Sequence, residues 1–576
     1  MKILLTALNS KFIHSNLAVR YLKAYTKELS YNCVIREFTI NDRREKVLEE
    51  IIGENPDVVA FSCYIWNIEY IKSLAVLIKL VDPSIKILYG GPEVSYDSYN
   101  LLKKLPGEYI IVGEGEDTYY EFVKFQIEYF NKIEEKDNYE FSLSLKKIKG
   151  LCFKWNGQVT LNEERELMDM NKIIFPYDEQ DDLTNKIVYY ESSRGCPFSC
   201  KYCLSSTVHG VRFLNIERVK REIKFLMGKN IKLIKFVDRT FNCNPKFAME
   251  LWKFIIEADT ECIFHFEISA DIITEEEIEL LRKAPKGRIQ FEVGVQTTND
   301  SVLNNINRYV KFKDIEQKVR KIKKNNNIKQ HLDLIAGLPG ENFQSFKRSF
   351  NEVYSLEPEE IQLGFLKLLK GSPMREEAEK WKMVYSPYAP YEILKTQYMD
   401  YKEIVILKRI EQVVDKYYNS GKFKNIIKYF IFKFKTAFDF YYELAVFFYN
   451  KGYFNRNISA ADYYRVFLEF EEECFNKKSM ELREIIKYDY LKFNKKKWIP
   501  DFLIRYRDKN EEKHIREKIE EGYIKVSESY HIEKFFINVE KFLTTSVLEE
   551  VQEYVIFDII RNKEIYLLSN LLSSDS

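Results

Sequence analysis

The 576-residue chain reads as an α/β protein, with a doubly wound parallel sheet first, a partial TIM-type barrel of six βα units next and a mostly helical region last. Three observations predict this. Short apolar runs alternate with amphipathic stretches over 1–130 and again over 186–375, the pattern of strands joined by crossover helices. The stretch between them, 131–185, is charge-rich and loosely patterned, which suits a linker. From 376 to 576 glycine thins out and Phe, Tyr, Lys and Glu crowd in at helical spacing.

The N-terminal runs fall at 2–6, 32–38, 58–61, 85–89 and 109–112. Ligands of doubly wound sheets bind beyond the carboxyl ends of the strands. That directs attention to Asn9 and His14 after the first run, and to Ser62, Tyr64 and Trp66 after the third. Beyond the fourth and fifth runs stand Gly90-Gly91-Pro92-Glu93 and Gly113-Glu114-Gly115-Glu116. No G-x-G-x-x-G follows the first run, which disfavours a dinucleotide. Each glycine pair alone reads as turn chemistry, but at successive strand ends they suit close backbone approach to something flat and large.

Within 131–185, Leu151-Cys152-Phe153-Lys154-Trp155 and Gln158-Val159-Thr160-Leu161 flank Asn156-Gly157, a strong hairpin signal. The barrel strands are expected at 187–193, 232–238, 263–268, 288–295, 331–335 and 360–366. Chemistry should collect at their carboxyl ends. The strings there are polar: Asp238-Arg239-Thr240-Phe241-Asn242, Glu267-Ile268-Ser269-Ala270-Asp271, Glu292-Val293-Gly294-Val295-Gln296-Thr297, and Asp333 onward to Gly340.

Just after the first barrel strand comes Ser193-Arg194-Gly195-Cys196-Pro197-Phe198-Ser199-Cys200-Lys201-Tyr202-Cys203. Its three thiols suit three irons of a four-iron cluster and leave the fourth iron open to a substrate or cofactor. A zinc site is the alternative and needs a fourth ligand, for which His209 is the nearest candidate. The other six cysteines, at 33, 63, 152, 243, 262 and 474, are scattered singly. An unpaired set of this kind fits a reducing compartment.

Lys plus Arg at 89 against Asp plus Glu at 88 creates no field to attract nucleic acid or an anionic membrane. No stretch reaches the roughly 18 uncharged apolar residues that a membrane helix needs, so a cytoplasmic location is expected.

The cysteine string resembles the signature of the radical SAM enzymes, and residues 1–130 resemble the cobalamin-binding domain that precedes many of their cores. The resemblance implies a [4Fe-4S] cluster on Cys196, Cys200 and Cys203, with S-adenosylmethionine near Tyr202, Asp238, Glu267 and Gln296. It implies cobalamin against Asn9, His14, Ser62, Tyr64, Trp66, Gly90, Gly91, Glu93, Gly113, Glu114 and Gly115. The first loop departs from the family's histidine-supplying pattern. In Phe12-Ile13-His14-Ser15-Asn16-Leu17 the carboxylate that would hold the ring and the glycine that would pass the nucleotide tail are absent. A metal-bound imidazole normally has such an outer partner, so the expected state is cobalamin without a protein ligand, with Tyr64 and Trp66 either covering its lower face or packing between domains.

The activity so implied is reductive cleavage of S-adenosylmethionine to a 5′-deoxyadenosyl radical and methylation of an unactivated carbon under anaerobic conditions. Its partners would be a small-molecule or peptide substrate rather than nucleic acid, and an external electron donor such as a flavodoxin or ferredoxin. Two alternatives stay open: radical cyclisation or rearrangement without methyl transfer, and a cofactor-binding sensor or scaffold without turnover. The last third resembles an uncharacterised extension in one branch of the family and is expected to close the active site. Its aromatic stripes near 429–434 and 438–449 read as core, Lys495-Lys496-Lys497-Trp498 as a solvated face, and 554–559 with 565–568 as a late hairpin.

Overall fold

The computed structural model describes residues 1–129, 139–208, 210–494 and 499–568. The chain divides into two units, Met1–Phe346 with Gly364–Asp400, and Lys347–Leu363 with Tyr401–Ser576.

The first unit opens with β1 (Lys2–Asn9), β2 (Asn32–Thr39), β3 (Val58–Ser62), β4 (Lys86–Gly90), β5 (Tyr109–Ile111), β6 (Leu151–Trp155) and β7 (Gln158–Leu161). They form one sheet in the order β2-β1-β3-β4-β5-β6-β7, with β1 to β5 parallel. β3 is buried along its whole length because helices cover both faces. Leu4, Val59 and Ile87 pack with Ile71, Leu74 and Ile78 of the helix Ile68–Val81. On the opposite face Ile3, Val58 and Leu88 pack with Val19 and Phe122. Strand order reverses between β1 and β3, so the crevice of the sheet lies at their carboxyl ends.

The hairpin read as part of a linker is instead the antiparallel end of this sheet: β6 pairs with β5, and β7 with β6. Asn156 and Gly157 both take positive φ, which the tight turn requires. Cys152 lies fully buried in β6.

The same unit continues with β8 (Ile187–Tyr190), β9 (Ser193–Gly195), β10 (Val211–Phe213), β11 (Leu233–Phe236), β12 (Ile263–Ile268), β13 (Ile289–Gln296) and β14 (Lys329–Ala336), and takes in the last two residues of β15 (Glu360–Phe365). A six-stranded sheet runs β15-β14-β13-β12-β11-β8, and β9 and β10 form a separate antiparallel ribbon. Helix-facing residues of the sheet make an aromatic core: Phe266 packs on Phe236, Phe241 and Trp252. The alternate residues carry charge. In β13 and β14 the positions of Glu292, His331 and Asp333 are only half-buried, and they alternate with buried Phe291, Val293 and Leu332. Period-two alternation on a parallel strand marks a polar barrel interior rather than a second packed layer.

Two expected strands end early for one reason. β8 stops at Tyr190 and β11 at Phe236 because the Asp238 carboxylate accepts hydrogen bonds from the Ser192 amide (3.1 Å), the Ser192 hydroxyl (2.6 Å) and the Ser193 hydroxyl (2.5 Å), pulling both chains out of the ladder. After β15 a short antiparallel pair, β16 (Val384–Tyr385) and β17 (Ile393–Lys395), completes this unit.

The second unit is helical, with β18 (Tyr530–Phe535), β19 (Glu553–Asp558) and β20 (Lys563–Leu568) as an antiparallel meander that contains the expected late hairpin. The aromatic stripes are its core. Phe430 packs on Phe440, Phe467 and Phe470, while Phe432 and Tyr449 face outward. Residues 495–498, read as a solvated face, lie outside the described residues. Among the described residues no helix is long and apolar enough to cross a membrane.

Candidate active site

A cavity of about 570 Å³ opens at the carboxyl ends of β1, β3, β4 and β5. Asn9 ends β1, and its side-chain amide donates to the His14 carbonyl (3.1 Å), folding the first loop back on itself. Ser62 ends β3 and accepts from the Asn16 amide (3.3 Å). Asn16 also caps the helix Leu17–Tyr25 by accepting from the Val19 amide, a usual role for Asn at a helix start.

His14 reaches the cavity wall, and its Nδ1 lies 2.6 Å from the hydroxyl of Tyr189 on β8. The ring therefore does have an outer partner, supplied by the barrel rather than by its own loop. Burial lowers its pKa, and Lys11, Lys235 and Lys186 add to the effect, so the imidazole is held neutral. Tyr64 and Trp66 stack face to face, centroids 4.3 Å apart and 6° from parallel, on the same wall.

The glycines divide by role. Gly91 takes φ +109° and a Cβ there would meet the Cys63 carbonyl at 2.6 Å, so this glycine permits loop-on-loop packing. Gly113 takes φ +77° with open space where a Cβ would stand, and its amide donates to the Ser95 hydroxyl (3.2 Å). Gly90 and Gly115 line the cavity too.

Two of the expected contacts go elsewhere. Glu93 is buried, forms an ion pair with Lys370 (2.8 Å) and accepts from the Tyr391 hydroxyl. The turn at Gly91 starts the short helix Pro92–Ser95, whose first residues carry Glu93 off the cavity wall, and a carboxylate so enclosed needs a counter-charge. Glu114 does line the cavity, yet both its oxygens are engaged by Arg212.

A second pocket, about 190 Å³, lies at the mouth of the barrel, walled by Cys196, Cys200 and Cys203 with Tyr202, Glu267 and Gln296. Arg308 stands beside the thiols, its Nη1 at 3.9 Å from the Cys200 Sγ. Burial raises the Cys200 pKa while the guanidinium pulls it back. Glu267 sits 3.9 Å from both Lys235 and Arg239, with its pKa raised by burial. Glu292 is held ionised, down to about 2, because His265 and Lys235 outweigh its burial.

Gln296 shows how β13 serves this pocket. A bulge between Gly294 and Gln296 shifts the register against β14, and Gln296 takes φ +69°. The strand end is thereby turned inward. Its side-chain oxygen is buried with no hydrogen-bond partner, as are Oδ1 of Asp333 and Nε of Arg308. Asp238 does not reach the pocket, since it is the serine tether described above.

Three buried polar atoms without partners, beside three thiols, fit a site built around a cluster and a ligand that offers both donors and acceptors. Among the described residues no three His, Cys, Asp or Glu side chains converge on a single ion. Thiolates of a four-iron cluster serve different irons and need not converge. His209, the nearest candidate for a fourth zinc ligand, lies outside the described residues. The larger cavity, with its stacked aromatic wall and with Gly90, Gly113 and Gly115 on its lining, fits a flat, bulky group.

The sequence reading singled out neither Arg308 nor Tyr189. Arg308 follows the helix Asp300–Asn305 in a loop without a motif. Tyr189 could have been found, because in β8 residues 187 and 189 share the less buried face.

Comparison with known proteins agrees with this architecture. Residues 3–123 match the family described as B12 binding domain, and residues 190–353 the radical SAM superfamily. Residues 379–557 match a protein of unknown function family, DUF4080. The chain is similar to the "Uncharacterized methyltransferase PH0819" of Pyrococcus horikoshii, 28% identical over 249 residues, covering 41% of this chain and 51% of that protein. It is also similar to the cobalamin-dependent radical SAM methyltransferase TokK of Streptomyces tokunonensis, 22% identical over 341 residues, 55% of this chain and 48% of that protein. The chain thus spans about half the length of the curated relatives it matches. In fold it is similar to the cobalamin-dependent S-adenosylmethionine radical enzyme OxsB, solved with aqua-cobalamin and S-adenosylmethionine bound. The TM-score is 0.57 at 14% identity, over 92% of this chain and 82% of OxsB.

Proposed function

We propose that this B12-binding radical SAM protein, whose C-terminal region matches DUF4080, methylates an unactivated carbon of a small molecule or peptide. The observation that carries the reading is a shared wall: Arg239, just beyond β11, lines both the larger cavity and the thiol pocket. The two pockets therefore adjoin at this residue. The names of the two curated relatives, both methyltransferases, support the reading.

Bound in these pockets, the cluster, S-adenosylmethionine and cobalamin would supply hydrogen abstraction and a methyl group, chemistry for which side chains have no equivalent. The chain's own residues bind, orient and hold protons. Cys196, Cys200 and Cys203 would hold the cluster, and Arg308 offsets part of the thiolate charge. Gln296 and Arg308 present an open acceptor and an open donor to the amino acid portion of S-adenosylmethionine. Burial and the neighbouring Glu292 and Glu267 raise the Asp333 pKa, while Lys235 and Arg308 pull it back. Tyr189 orients the neutral His14 ring, and Tyr64 with Trp66 would offer an apolar surface to a bound corrin. The reading requires an external one-electron donor of the flavodoxin or ferredoxin kind.

The test is anaerobic reconstitution with hydroxocobalamin, S-adenosylmethionine bearing a deuterated methyl group, and candidate substrates, followed by product mass. Incorporation of the labelled methyl is expected. Formation of 5′-deoxyadenosine with an unlabelled product would replace methylation by cyclisation or rearrangement.

A further inference from the structure

We propose that a charge clamp of Glu114, Glu116, Glu191, Arg194 and Arg212 couples the corrin cavity to the thiol-bearing loop, so that each cofactor binds more tightly when the other is present. The proposal rests on the two-cofactor reading above.

The thiol loop hangs between β9 and β10, strands of three residues each. A two-stranded ribbon this short is marginal alone, so something else must hold it. Its stem residues Arg194 and Arg212 are direct cross-strand partners. Arg194 reaches Glu116 (2.5 Å) and Glu191 (2.9 Å), with Glu114 at 3.9 Å. Arg212 grips Glu114 and donates to the Met168 carbonyl (2.6 Å). No side chain in the clamp is more than 24% exposed, and Glu116 is 6% exposed, so water screens the pairs poorly. Planar forks engaging several carboxylates fix orientation as well as charge, which a lysine would not do.

Glu114 and Glu116 follow Gly113, the position whose backbone faces the cavity, and all five clamp residues line that cavity. A molecule filling it restrains the carboxylates that hold the stem of the thiol loop. Ordering that loop is part of the free energy of assembling the cluster, so the ordering cost met by one ligand is spared the other. Linkage then requires the effect to be reciprocal.

The experiment titrates hydroxocobalamin, by visible absorbance, into the anaerobic full-length chain with its cluster reconstituted and into the Cys196→Ser/Cys200→Ser/Cys203→Ser variant. The expected ratio of affinities is about fivefold or more. In Arg194→Lys and Glu116→Gln, each compared with the same variant carrying the three serines, the ratio should fall to near one. Amide exchange of residues 196–208 in the chain without cofactors should become about tenfold faster in both variants, while β12 to β14 keep their protection. Circular dichroism selects the variants that fold, and Glu116→Gln, nearly isosteric, serves if Arg194→Lys does not. A ratio of one in the parent chain, a parental ratio in the variants, or unaltered exchange of 196–208 overturns the clamp and leaves the two-cofactor reading standing. Absence of hydroxocobalamin binding in both forms overturns that reading and the coupling with it.

Discussion

Asp333 in the barrel and Asp489 in the helical unit are both enclosed aspartates with raised pKa, and they are used in opposite ways. Asp489 accepts from the Asn425 and Ile426 amides (3.1 Å each) and from the Asn425 side chain (2.6 Å), at the start of the helix Lys424–Ile431. Its burial is compensated by donors and by the positive end of a helix. Asp333 keeps one oxygen without a partner, with Glu292 and Glu267 raising its pKa against Lys235 and Arg308. Glu471 extends the pattern in the second unit, where Ser479, Tyr429 and Lys433 surround its carboxylate. Asp489 and Glu471 are tied into the fold, whereas Asp333, Gln296 and Arg308 at the barrel mouth each keep a buried polar atom without a partner.

The largest effect should come from removing a thiol. Cys200→Ala is expected to reduce bound iron after anaerobic reconstitution to background and S-adenosylmethionine cleavage by at least about 100-fold, with urea unfolding of the helical unit unchanged. Iron content and cleavage rates near those of the parent would break the contrast at its functional end.

Asp489→Ala is expected to destabilise the protein by about 3 kcal/mol, since it strands two helix amides and a side-chain amide, without altering affinity for S-adenosylmethionine. Equilibrium unfolding and a binding titration check both halves. Asp489 also carries a pH signature. Its folded pKa, about 7, stands above the ordinary 3.8. Its contribution to stability is therefore fully present below pH 3.8 and is lost as pH rises through about 7. The stability difference between the protein and Asp489→Asn should fall across that window by at most about 1.4 kcal/mol per pH unit and then level off. A difference that grows with pH would show the carboxylate to be ionised in the fold.

Asp333→Asn should do the reverse of Asp489→Ala. Stability should stay within about 0.5 kcal/mol, while S-adenosylmethionine cleavage slows about tenfold, or ~1.4 kcal/mol. A stability loss with unaltered cleavage would move Asp333 into the same class as Asp489. The smallest effect is expected at Gln296, whose φ of +69° suits glycine. Gln296→Gly should raise stability by about 1 kcal/mol yet weaken S-adenosylmethionine binding, which differential unfolding and calorimetry would separate.

Local pattern carried much of this architecture. Short apolar runs marked β1 and β3, runs with polar strings at their ends marked β13 and β14, and Asn156-Gly157 marked its hairpin. The three thiols were legible because their spacing within eight residues is the chemistry. Asp238 and Glu93 were read as ligand contacts and are tethers, because a carboxylate at a strand end looks the same whether it faces a cavity or a pair of serines. The partner that decides between these fates lies 46 residues away for Asp238 and 298 for Glu93.

By itself, then, the sequence determined what is encoded in neighbours: the order of strands and helices, the cluster motif and the loops in which ligands can sit. Only the tertiary structure decided which side chains face those ligands. It turned Gln296 inward through a bulge, brought Arg308 to Cys200 across 108 positions, gave His14 its Tyr189, and tied Glu114 and Glu116 to the stem of the thiol loop. These are pairings at long sequence separation between ordinary residue types. A single chain carries no local signal for them, because their energy exists only once the sheets have placed them together.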